Sequence, residues 1–476
     1  MYFKIKNKIL FRRYDEYGYL TDNSMFGYRF LNDSTPVLEE KYVSESAAVM
    51  LEALSKAPQH IDKIIESLLK IFIGVEFDEL KQDTIEFFMQ LSEEGFLSFG
   101  ETYEDCINNE NSTADVSEEC GSSDAMLIEN CSKNVVKQND FLRSIHIEVA
   151  SECNERCVHC YIPHECKDTA INSELLFKIL QEGRDLNIIH VTFSGGEPLL
   201  HKDFLKFLKK CRELDLAVNV LTNLTLLNDE ILDEMKLNPL LSVQTSLYSM
   251  IPEVHDNITK VKGSFKKTKD AILKLIGARI PVQISCPIMK QNKDSFHEVI
   301  DWGNANNIAV LVDYVIFAAY DQSNSNLVNR LTIEEVTEAF KKQLAPAYVD
   351  ALCEVAEEKC ALTENDPICS ICRYYFCVAA NGNVFPCIGW QSNVVGNLNT
   401  SSIKELWEES KEINELRCIR RDSFPKCITC ENRGFCTVCM MSNDNESGNK
   451  FEVGDFHCQV ASMMRSEVEN FKNTNK

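Results

Sequence analysis

Apolar and polar positions follow two different periods between residues 141 and 340. Short runs that alternate every second residue predict β-strands, and longer runs with apolar residues every three or four positions predict amphipathic helices. The predicted strands are 145–149, 188–193, 217–221, 241–247, 282–288 and 309–316, and predicted helices between them include 173–182, 204–214, 264–276 and 296–305. This order predicts an α/β fold in which a parallel sheet forms a partial (β/α)6 TIM-like barrel.

The first hundred residues show another order of elements. Alternating runs near Phe3, Ile5, Ile9 and Phe11, and again at 17–20, predict short strands. Helical patterns follow at 47–56 after a capping Ser46, at 61–72 and at 84–91, before a strand at 95–97. Strands followed by three helices and a wing predict a winged-helix-like domain over residues 1–100.

An acidic segment separates the two patterned regions. Residues 101–140 are rich in Glu, Asp, Asn and Ser and have no sustained apolar period, so they are predicted to form a linker. The cysteines of this segment, Cys106, Cys120 and Cys131, are irregularly spaced and are assigned no ligand role. The predicted barrel then spans 141–340, and a cysteine-rich region spans 341–476.

Three closely spaced cysteines, Cys153, Cys157 and Cys160, follow the first predicted barrel strand. Four thiolates normally complete a 4Fe-4S cluster, so three at this spacing predict a cluster with one iron that no protein thiolate holds. Zinc is the alternative, because two or three cysteines completed by histidine also bind that metal. The Cys-x3-Cys-x2-Cys spacing favours iron, since zinc sites usually pair Cys-x2-Cys knuckles.

The second predicted barrel strand ends in Ser194-Gly195-Gly196-Glu197-Pro198. Two glycines permit a close approach of the backbone to a ligand, and Glu197 offers a carboxylate. An ordinary turn is the alternative for a Gly-Gly pair at a strand end. Because ligands of parallel barrels bind at the carboxyl ends of strands, the cysteine triplet and this motif are expected on the same rim.

Together, the triplet and the Gly-Gly-Glu-Pro motif resemble the signature of the radical S-adenosylmethionine (SAM) enzymes. The resemblance implies that the three cysteines hold the SAM-binding 4Fe-4S cluster. It also implies contacts to SAM from His159, Gly195, Gly196, Glu197, Pro198, Asn223 and Ser246. A solvated loop histidine is the alternative for His159, and turn residues are the alternative for Asn223 and Ser246.

A second group of cysteines lies between Cys369 and Cys458. The runs Gly382-x4-Cys387 and Cys427-x2-Cys430-x5-Cys436-x2-Cys439 resemble the SPASM extension of radical SAM enzymes, which holds two auxiliary 4Fe-4S clusters. The resemblance implies an inner cluster on Cys369, Cys372, Cys387 and Cys439 and an outer cluster on Cys427, Cys430, Cys436 and Cys458. Family members usually have three residues before the cysteine that corresponds to Cys439, whereas this chain has two. Two zinc ions are the alternative for this region, and Cys377 is interpreted as a buried strand thiol.

Composition restricts the class of function. With 476 residues and 44% hydrophobic content, the chain is expected to form two or three domains. A net charge of -24 and a pI near 4.9 oppose binding to nucleic acid or to a membrane surface. No apolar run approaches the roughly 20 residues of a membrane span. The 21 cysteines with metal-type spacing disfavour disulfides, so a reducing, cytoplasmic location is expected.

The front segment indicates the substrate class. Its order of elements resembles the recognition element that binds leader peptides of ribosomally made precursors, and its lack of a Lys/Arg-rich helix disfavours DNA as the ligand. The predicted protein is a radical SAM peptide maturase that forms a thioether crosslink from a peptide cysteine. Its expected partners are the precursor peptide and an electron donor such as flavodoxin or ferredoxin. Alternatives are carbon-carbon crosslinking, sulfatase-maturating oxidation of Cys or Ser, and a zinc-bearing peptide-binding adaptor without catalysis.

Overall fold

The computed structural model describes residues 1–38, 40–111 and 141–474. In these residues the strands are β1 (Tyr2–Ile5), β2 (Leu10–Arg13), β3 (Tyr17–Thr21), β4 (Lys41–Ser44), β5 (Gln59–His60), β6 (Leu97–Gly100), β7 (Ser144–Ala150), β8 (His190–Gly195), β9 (Ala217–Leu221), β10 (Leu241–Ser246), β11 (Val282–Pro287), β12 (Ala309–Asp313), β13 (Tyr375–Val378), β14 (Asn383–Phe385) and β15 (Gly396–Asn397).

The helices of the first half of the chain are α1 (Glu45–Glu52), α2 (Ile61–Leu68), α3 (Phe77–Glu93), α4 (Tyr103–Asn108), α5 (Ser173–Asp185), α6 (Phe204–Glu213) and α7 (Asp229–Lys236). Those of the second half are α8 (Pro252–Thr259), α9 (Ser264–Gly277), α10 (Phe296–Ala305), α11 (Ile333–Lys341), α12 (Pro346–Ala361), α13 (Ile403–Glu409), α14 (Lys411–Arg417), α15 (Pro425–Ile428), α16 (Met440–Ser447) and α17 (Asp455–Thr474).

Six parallel strands, β7 to β12, form the predicted partial barrel and lie side by side in chain order. Successive side chains of a strand point to opposite faces. On β7, Ile145, Ile147 and Val149 pack into the main hydrophobic core, so His146 and Glu148 face the inside of the barrel. The prediction of an α/β fold with a parallel barrel is confirmed, because apolar runs of this period become stable only when helices cover the outer face of the sheet.

The front domain, residues 1–38 and 40–111, contains two small sheets with the orders β5-β1-β6 and β2-β3-β4. Helices α1, α2 and α3 cover them around a core that includes Phe3, Phe87 and Phe88. Strand β4 was not predicted from the sequence, and the predicted cap of the first helix, Ser46, is wrong. The cap is Ser44, whose hydroxyl accepts the hydrogen bond of the Ala47 amide, because β4 ends there and the helix begins at once.

The predicted acidic linker is wrong in its first part. Residues Tyr103–Asn108 form α4, which packs on β6, and the Cys106 thiol is fully buried there. The Ser98 hydroxyl donates a hydrogen bond of 2.6 Å to the carbonyl of Cys106 and fixes this packing. A capping box at Thr102 starts the helix, a signal that the acidic composition concealed. The remainder of the predicted linker, with Cys120 and Cys131, lies outside the described residues.

The front domain lies against the amino ends of the barrel strands. Arg12 is 1% exposed, and its guanidinium donates to the carbonyls of Ile188 (3.0 Å) and Asp215 (2.5 Å) just before β8 and β9. The ring of Phe26 stacks on His190 at 4.8 Å between centroids. Hydrogen bonds to backbone carbonyls at this depth hold the front domain in one orientation on the barrel.

The cysteine-rich region continues the barrel sheet. Strand β13 pairs in parallel with β7, and β14 and β15 follow it antiparallel, so the nine strands form one sheet. Helix α17 packs along α11, and Trp390 is buried and donates to the carboxylate of Asp444 in α16. The cysteine-rich region is therefore joined by strand pairing to β7, the first barrel strand, and the cysteine triplet follows that strand. None of the helices in the described ranges is long and apolar enough to cross a membrane.

Replacing Arg12 by leucine is expected to lower the free energy of unfolding of the metal-free chain by about 2 kcal/mol, because two buried carbonyls lose a charged donor. Arg13→Leu is the matched control, since that guanidinium meets only the exposed carboxylate of Glu52, and its cost is expected to stay below about 1 kcal/mol. Urea unfolding followed by circular dichroism measures both. Equal costs for the two variants would contradict the docking described for Arg12.

Candidate active site

The cysteine triplet lies on the loop that follows β7, and protein hydrogen bonds hold this loop. The Arg156 amide donates to the Thr259 carbonyl (2.9 Å) and the Val158 amide to the Ile258 carbonyl (3.0 Å), both at the end of α8. The side chain of Asn329 donates to the carbonyl of Val158 at 2.8 Å. The loop is therefore anchored to the far side of the barrel rim, and Cys153, Cys157 and Cys160 are half-buried on it.

Two glycines let the end of β8 touch the start of this loop. Gly195 has a φ of +127°, and a Cβ atom there would lie 2.0 Å from the carbonyl oxygen of Ala150. A Cβ atom on Gly196 would lie 2.2 Å from the carbonyl oxygen of Glu152. The Gly196 amide donates to Ala150 (2.7 Å), and the Glu197 amide donates to Glu152 (2.8 Å). Only glycine fits this contact between two backbones.

The carboxylate of Glu197 joins two strand ends. It is fully buried and accepts hydrogen bonds from the Thr222 hydroxyl (2.6 Å), the Asn223 amide (2.7 Å) and the Leu199 amide (3.0 Å). Burial raises the pKa of Glu197 to about 7, although these donors oppose the shift. In the structure this carboxylate therefore connects β8 to the turn after β9. Its contact with SAM stays a prediction.

The other predicted SAM contacts lie around the triplet. The ring of His159 meets Tyr248 edge-on at 5.1 Å, and burial lowers the pKa of His159 to about 4, so the ring is neutral. The side chain of Asn223 donates to Asn154 at 2.8 Å and lies 4.0 Å from the Cys153 sulfur. Ser246 ends β10, and Pro198 begins the short helix Pro198–Leu200 next to Glu197. The structure brings these residues to one rim, and their contacts with SAM stay predictions.

Tyr248 was not found by sequence reasoning. It follows β10 by two residues, is 4% exposed, and its hydroxyl lies 3.9 Å from the Cys157 sulfur. The charge of Cys157 contributes to the raised pKa of this hydroxyl after burial. The only available signal was its place just after a predicted strand end, where the sequence analysis had assigned a role to Ser246 alone.

Burial raises the pKa of two of the triplet thiols, those of Cys153 and Cys157. Burial raises the pKa of Cys153 to about 11, and burial and the charge of Glu155 raise the pKa of Cys157 further. The charges of Cys160 and Cys153 also raise the pKa of Cys157, so the three thiols are neighbours. Bound iron supplies the positive charge that deprotonates such thiols.

The structure brings together the four cysteines predicted for the outer cluster. Cys427, Cys430, Cys436 and Cys458 line one cavity of about 540 Å³, which also contains Lys359. After burial, the charges of its partner thiols raise the pKa of Cys436 to about 11, and Lys359 opposes that shift. Four thiols around a cavity are a donor set that fits a 4Fe-4S cluster. Their role as its ligands stays a prediction.

Three of the four cysteines predicted for the inner cluster, Cys369, Cys387 and Cys439, lie close enough for their charges to affect one another's pKa values. Burial is the main cause that raises the pKa of Cys387 to about 12, and the charges of Cys439 and Cys369 raise it as well. Cys372 is fully buried, and its φ of +55° places it in the left-handed region. Cys377 is 1% exposed on β13, in keeping with a buried strand thiol, and it is influenced by Cys387 and Cys372.

Gly195→Ala is expected to prevent loading of the triplet, because the new Cβ atom would collide with the Ala150 carbonyl and displace the loop. Anaerobic reconstitution should then give about one cluster less of iron and sulfide per chain, with a loss of stability on the order of 2 kcal/mol. Gly277→Ala is the control, because a Cβ atom there meets nothing within 4 Å. Full iron content in Gly195→Ala would contradict the proposed contact.

Two family models match the regions described above. The model described as the radical SAM superfamily matches residues 147–303, which contain the triplet, the glycine motif and five of the six barrel strands in whole or part. The model described as SPASM, an iron-sulfur cluster-binding domain, matches residues 369–431, which contain the first five of the eight predicted auxiliary ligands.

Two curated relatives are similar to about three fifths of this chain. The AdoMet-dependent heme synthase of Methanosarcina barkeri is 24% identical over 327 residues, which are 62% of this chain and 90% of that protein. The PqqA peptide cyclase of Bradyrhizobium diazoefficiens is 23% identical over 309 residues, 61% of this chain and 79% of that protein.

Among solved structures, SuiB of Streptococcus suis bound to its precursor peptide SuiA has a TM-score of 0.59 and 17% identity, and the match covers 96% of this chain and all of SuiB. SuiB is also similar in its complex with S-adenosylmethionine, with a TM-score of 0.56. The barrel, the cysteine triplet and the matched iron-sulfur domain identify the chain as a radical SAM enzyme with a SPASM domain, whose cofactors are 4Fe-4S clusters and S-adenosylmethionine.

Proposed function

We propose that this enzyme modifies a ribosomally made precursor peptide and that it joins a peptide cysteine to another residue through a thioether. The observation that carries the proposal is the front domain, whose small sheet ends in the edge strand β4 while its other edge, β2, contacts the barrel. The proposed peptide-binding edge thus belongs to a domain that contacts the barrel with the cysteine triplet.

Strand β4 has the features of a site for an added strand. In the described residues it pairs with β3 alone, and Lys41 at its start forms an ion pair with Glu94 at the end of α3. An extended peptide that pairs with such an edge gains main-chain hydrogen bonds, while neighbouring side chains set its register. The similarity of fold to the SuiB complex with its precursor peptide, which extends over nearly the whole chain, supports this function for the front domain.

Binding of a leader segment would raise the local concentration of the rest of the peptide at the barrel. The contacts of Arg12 and Phe26 with the barrel fix the position of the front domain relative to the barrel. The length of peptide between the bound leader and the reacting residue is therefore restricted. A flexible tether would impose no such restriction.

When bound, SAM supplies a radical that removes a hydrogen atom from a peptide carbon. The chain contributes the anchored cysteine loop, the buried walls formed by His159 and Tyr248, and the polar inner face of the barrel. Formation of the crosslink releases one further electron, for which the clusters of the SPASM domain are the proposed acceptor. The electron donor for the first step is proposed to be a flavodoxin or a ferredoxin.

A carbon-carbon crosslink is the second candidate, and the relatives named PqqA peptide cyclase favour it. Sulfatase-type maturation is disfavoured, because such enzymes usually lack a front recognition domain, whereas residues 1–38 and 40–111 of this chain fold into a front domain. A zinc-bearing adaptor is disfavoured by the matched iron-sulfur domain.

Co-expression of the chain with short cysteine-containing reading frames beside its gene tests the reaction. A modified peptide is expected to lose two hydrogen atoms and to resist alkylation at one cysteine, as measured by mass spectrometry. Cys157→Ala should yield neither this product nor 5'-deoxyadenosine, because the SAM-binding cluster loses a ligand. Cys418→Ala, at an exposed thiol without an assigned role, is the control. An unmodified thiol in a crosslinked product would favour the carbon-carbon reaction instead.

Leader binding is expected to be independent of the clusters, because the predicted cluster ligands all lie outside the front domain. The iron-free full chain should bind a labelled leader peptide with the same Kd as the loaded enzyme, within about twofold. Fluorescence anisotropy measures both. If removal of iron abolishes binding, the peptide is held elsewhere than on β4.

A further inference from the structure

A carboxylic acid lies inside the barrel and has no role in the chemistry described so far. Glu148 is the fifth residue of β7, it is 2% exposed, and it faces the interior while its neighbours Ile147 and Val149 pack outward. The side chain of Gln391, from the SPASM region, donates a hydrogen bond of 2.5 Å to its carboxylate. A buried carboxyl group with a neutral amide donor is costly to ionise and needs a reason to be there.

The surroundings of Glu148 place it between two cofactor sites. Its charge contributes to the raised pKa of Tyr161, which is also affected by Cys160 of the triplet and Cys387 of the inner set. The charge of Glu148 also contributes to the raised pKa values of Cys377 on β13 and Tyr320 after β12. Among the described residues, the groups around Glu148 are the hydroxyls of Tyr161 and Tyr320, the Cys377 thiol, the Gln391 amide and, on the same face of β7, the ring of His146, whose pKa is lowered by burial to about 4.

A cavity of about 470 Å³ lies next to the side-chain amide that donates to this carboxyl group. Tyr320 and Gln322 form one side of it, and Asn381, Phe385 and Gln391 of the SPASM region form another. Gln391 is common to the cavity wall and to the hydrogen bond with Glu148. A peptide that entered between the barrel and the SPASM region would reach Glu148 by displacing one amide side chain.

Other acidic groups near the barrel interior are already engaged. The carboxylate of Glu197 accepts hydrogen bonds from three protein donors. The Cys157 thiol donates to Glu155 at 3.5 Å, so that carboxylate belongs to the triplet. Asp313 accepts from the amide of Val315 at the exposed end of β12. Asp321 lines the cavity but is exposed and accepts from the amide of Ser323. Among these described groups, Glu148 is the buried one whose neutral hydrogen-bond partner, Gln391, lines the cavity.

We propose that Glu148 is the catalytic residue that accepts the proton released when the crosslink forms, an inference that rests on the proposed function. After a hydrogen atom has left the peptide carbon, the new carbon-sulfur bond forms as the S–H bond of the peptide cysteine breaks. The proton passes to the Glu148 carboxylate, and the remaining electron passes to a 4Fe-4S cluster of the SPASM domain. Burial raises the pKa of Glu148 to about 7, which suits a group that must take up and release a proton near neutrality.

Glu148→Gln, which keeps the size and the contact with Gln391, tests the proposal with the loaded enzyme. Reduced enzyme with SAM alone should form 5'-deoxyadenosine at the wild-type rate. With the cysteine-containing peptide encoded beside the gene, crosslinked product should fall at least about a hundredfold. Glu148→Asp should retain part of the product and shift its pH profile, and Glu334→Gln, at the exposed start of α11, should match wild type.

Each result decides a different question. Wild-type amounts of product from Glu148→Gln would overturn the proposal, and so would a parallel loss of 5'-deoxyadenosine, which indicates a structural role. If the wild-type enzyme itself cleaves SAM but leaves the peptide unchanged, the proposed function fails, and the proton-acceptor role is then decided on the protein alone.

That measurement uses the Tm of the metal-free full chain as a function of pH. The pKa of Glu148 is raised from 4.5 to about 7 in the folded state, so ionisation destabilises the wild-type fold as pH rises through this window. The Tm of Glu148→Gln should therefore exceed that of wild type by an amount that grows between pH 4.5 and 7 and then stays constant. A difference that is independent of pH would overturn the role of Glu148 as a proton acceptor near neutrality.

Discussion

The contact between the end of β8 and the start of the cysteine loop is the constraint on which the active site depends. Gly195 and Gly196 allow two backbones to meet where any side chain would collide with the carbonyls of Ala150 or Glu152. The contact sets the position of Cys153, and the bonds of Arg156 and Val158 to α8 set the rest of the loop. The Glu197 carboxylate then ties the same corner to the turn after β9. Because protein contacts hold this loop, its thiols are in position before iron binds, and cluster assembly does not require the loop to become ordered.

Buried acidity is the second property of the barrel interior. Burial raises the pKa of Glu148, Glu155 and Glu197 to about 7 each, and it also raises the pKa values of the Cys153 and Cys157 thiols. Such groups make the metal-free interior unfavourable for negative charge. Binding of iron and of a sulfonium cofactor brings positive charge to the same region, so loading and folding stabilise each other.

The front domain and the SPASM region contact different parts of the barrel sheet. The front domain contacts the amino ends of β8, β9 and β10 through Arg12, Phe26 and Tyr28. The SPASM region continues the sheet beyond β7 through β13. The strand that carries Glu148 and leads into the triplet therefore also pairs with the strand that carries Cys377, which brings the barrel interior close to the inner cysteine set.

The sequence by itself determined the barrel, because the alternation of strand and helix periods between residues 141 and 340 has one stable solution, a parallel sheet covered by helices. It also indicated two cysteine-rich sites, because the spacing within the triplet and within the Cys-x2-Cys pairs is local in the chain, whereas the division of the later cysteines into two sets follows only from the family resemblance. Strand β4, helix α4 and the cap at Ser44 were missed or misplaced, since short polar elements are stabilised by neighbours that a local pattern does not contain. Only the tertiary structure decided that Glu197 is engaged by protein donors, that Tyr248 lies beside Cys157, and that Glu148 meets Gln391 across 243 positions of the chain. Contacts of that kind depend on how distant elements pack, and the residues on either side of them carry no periodic signal.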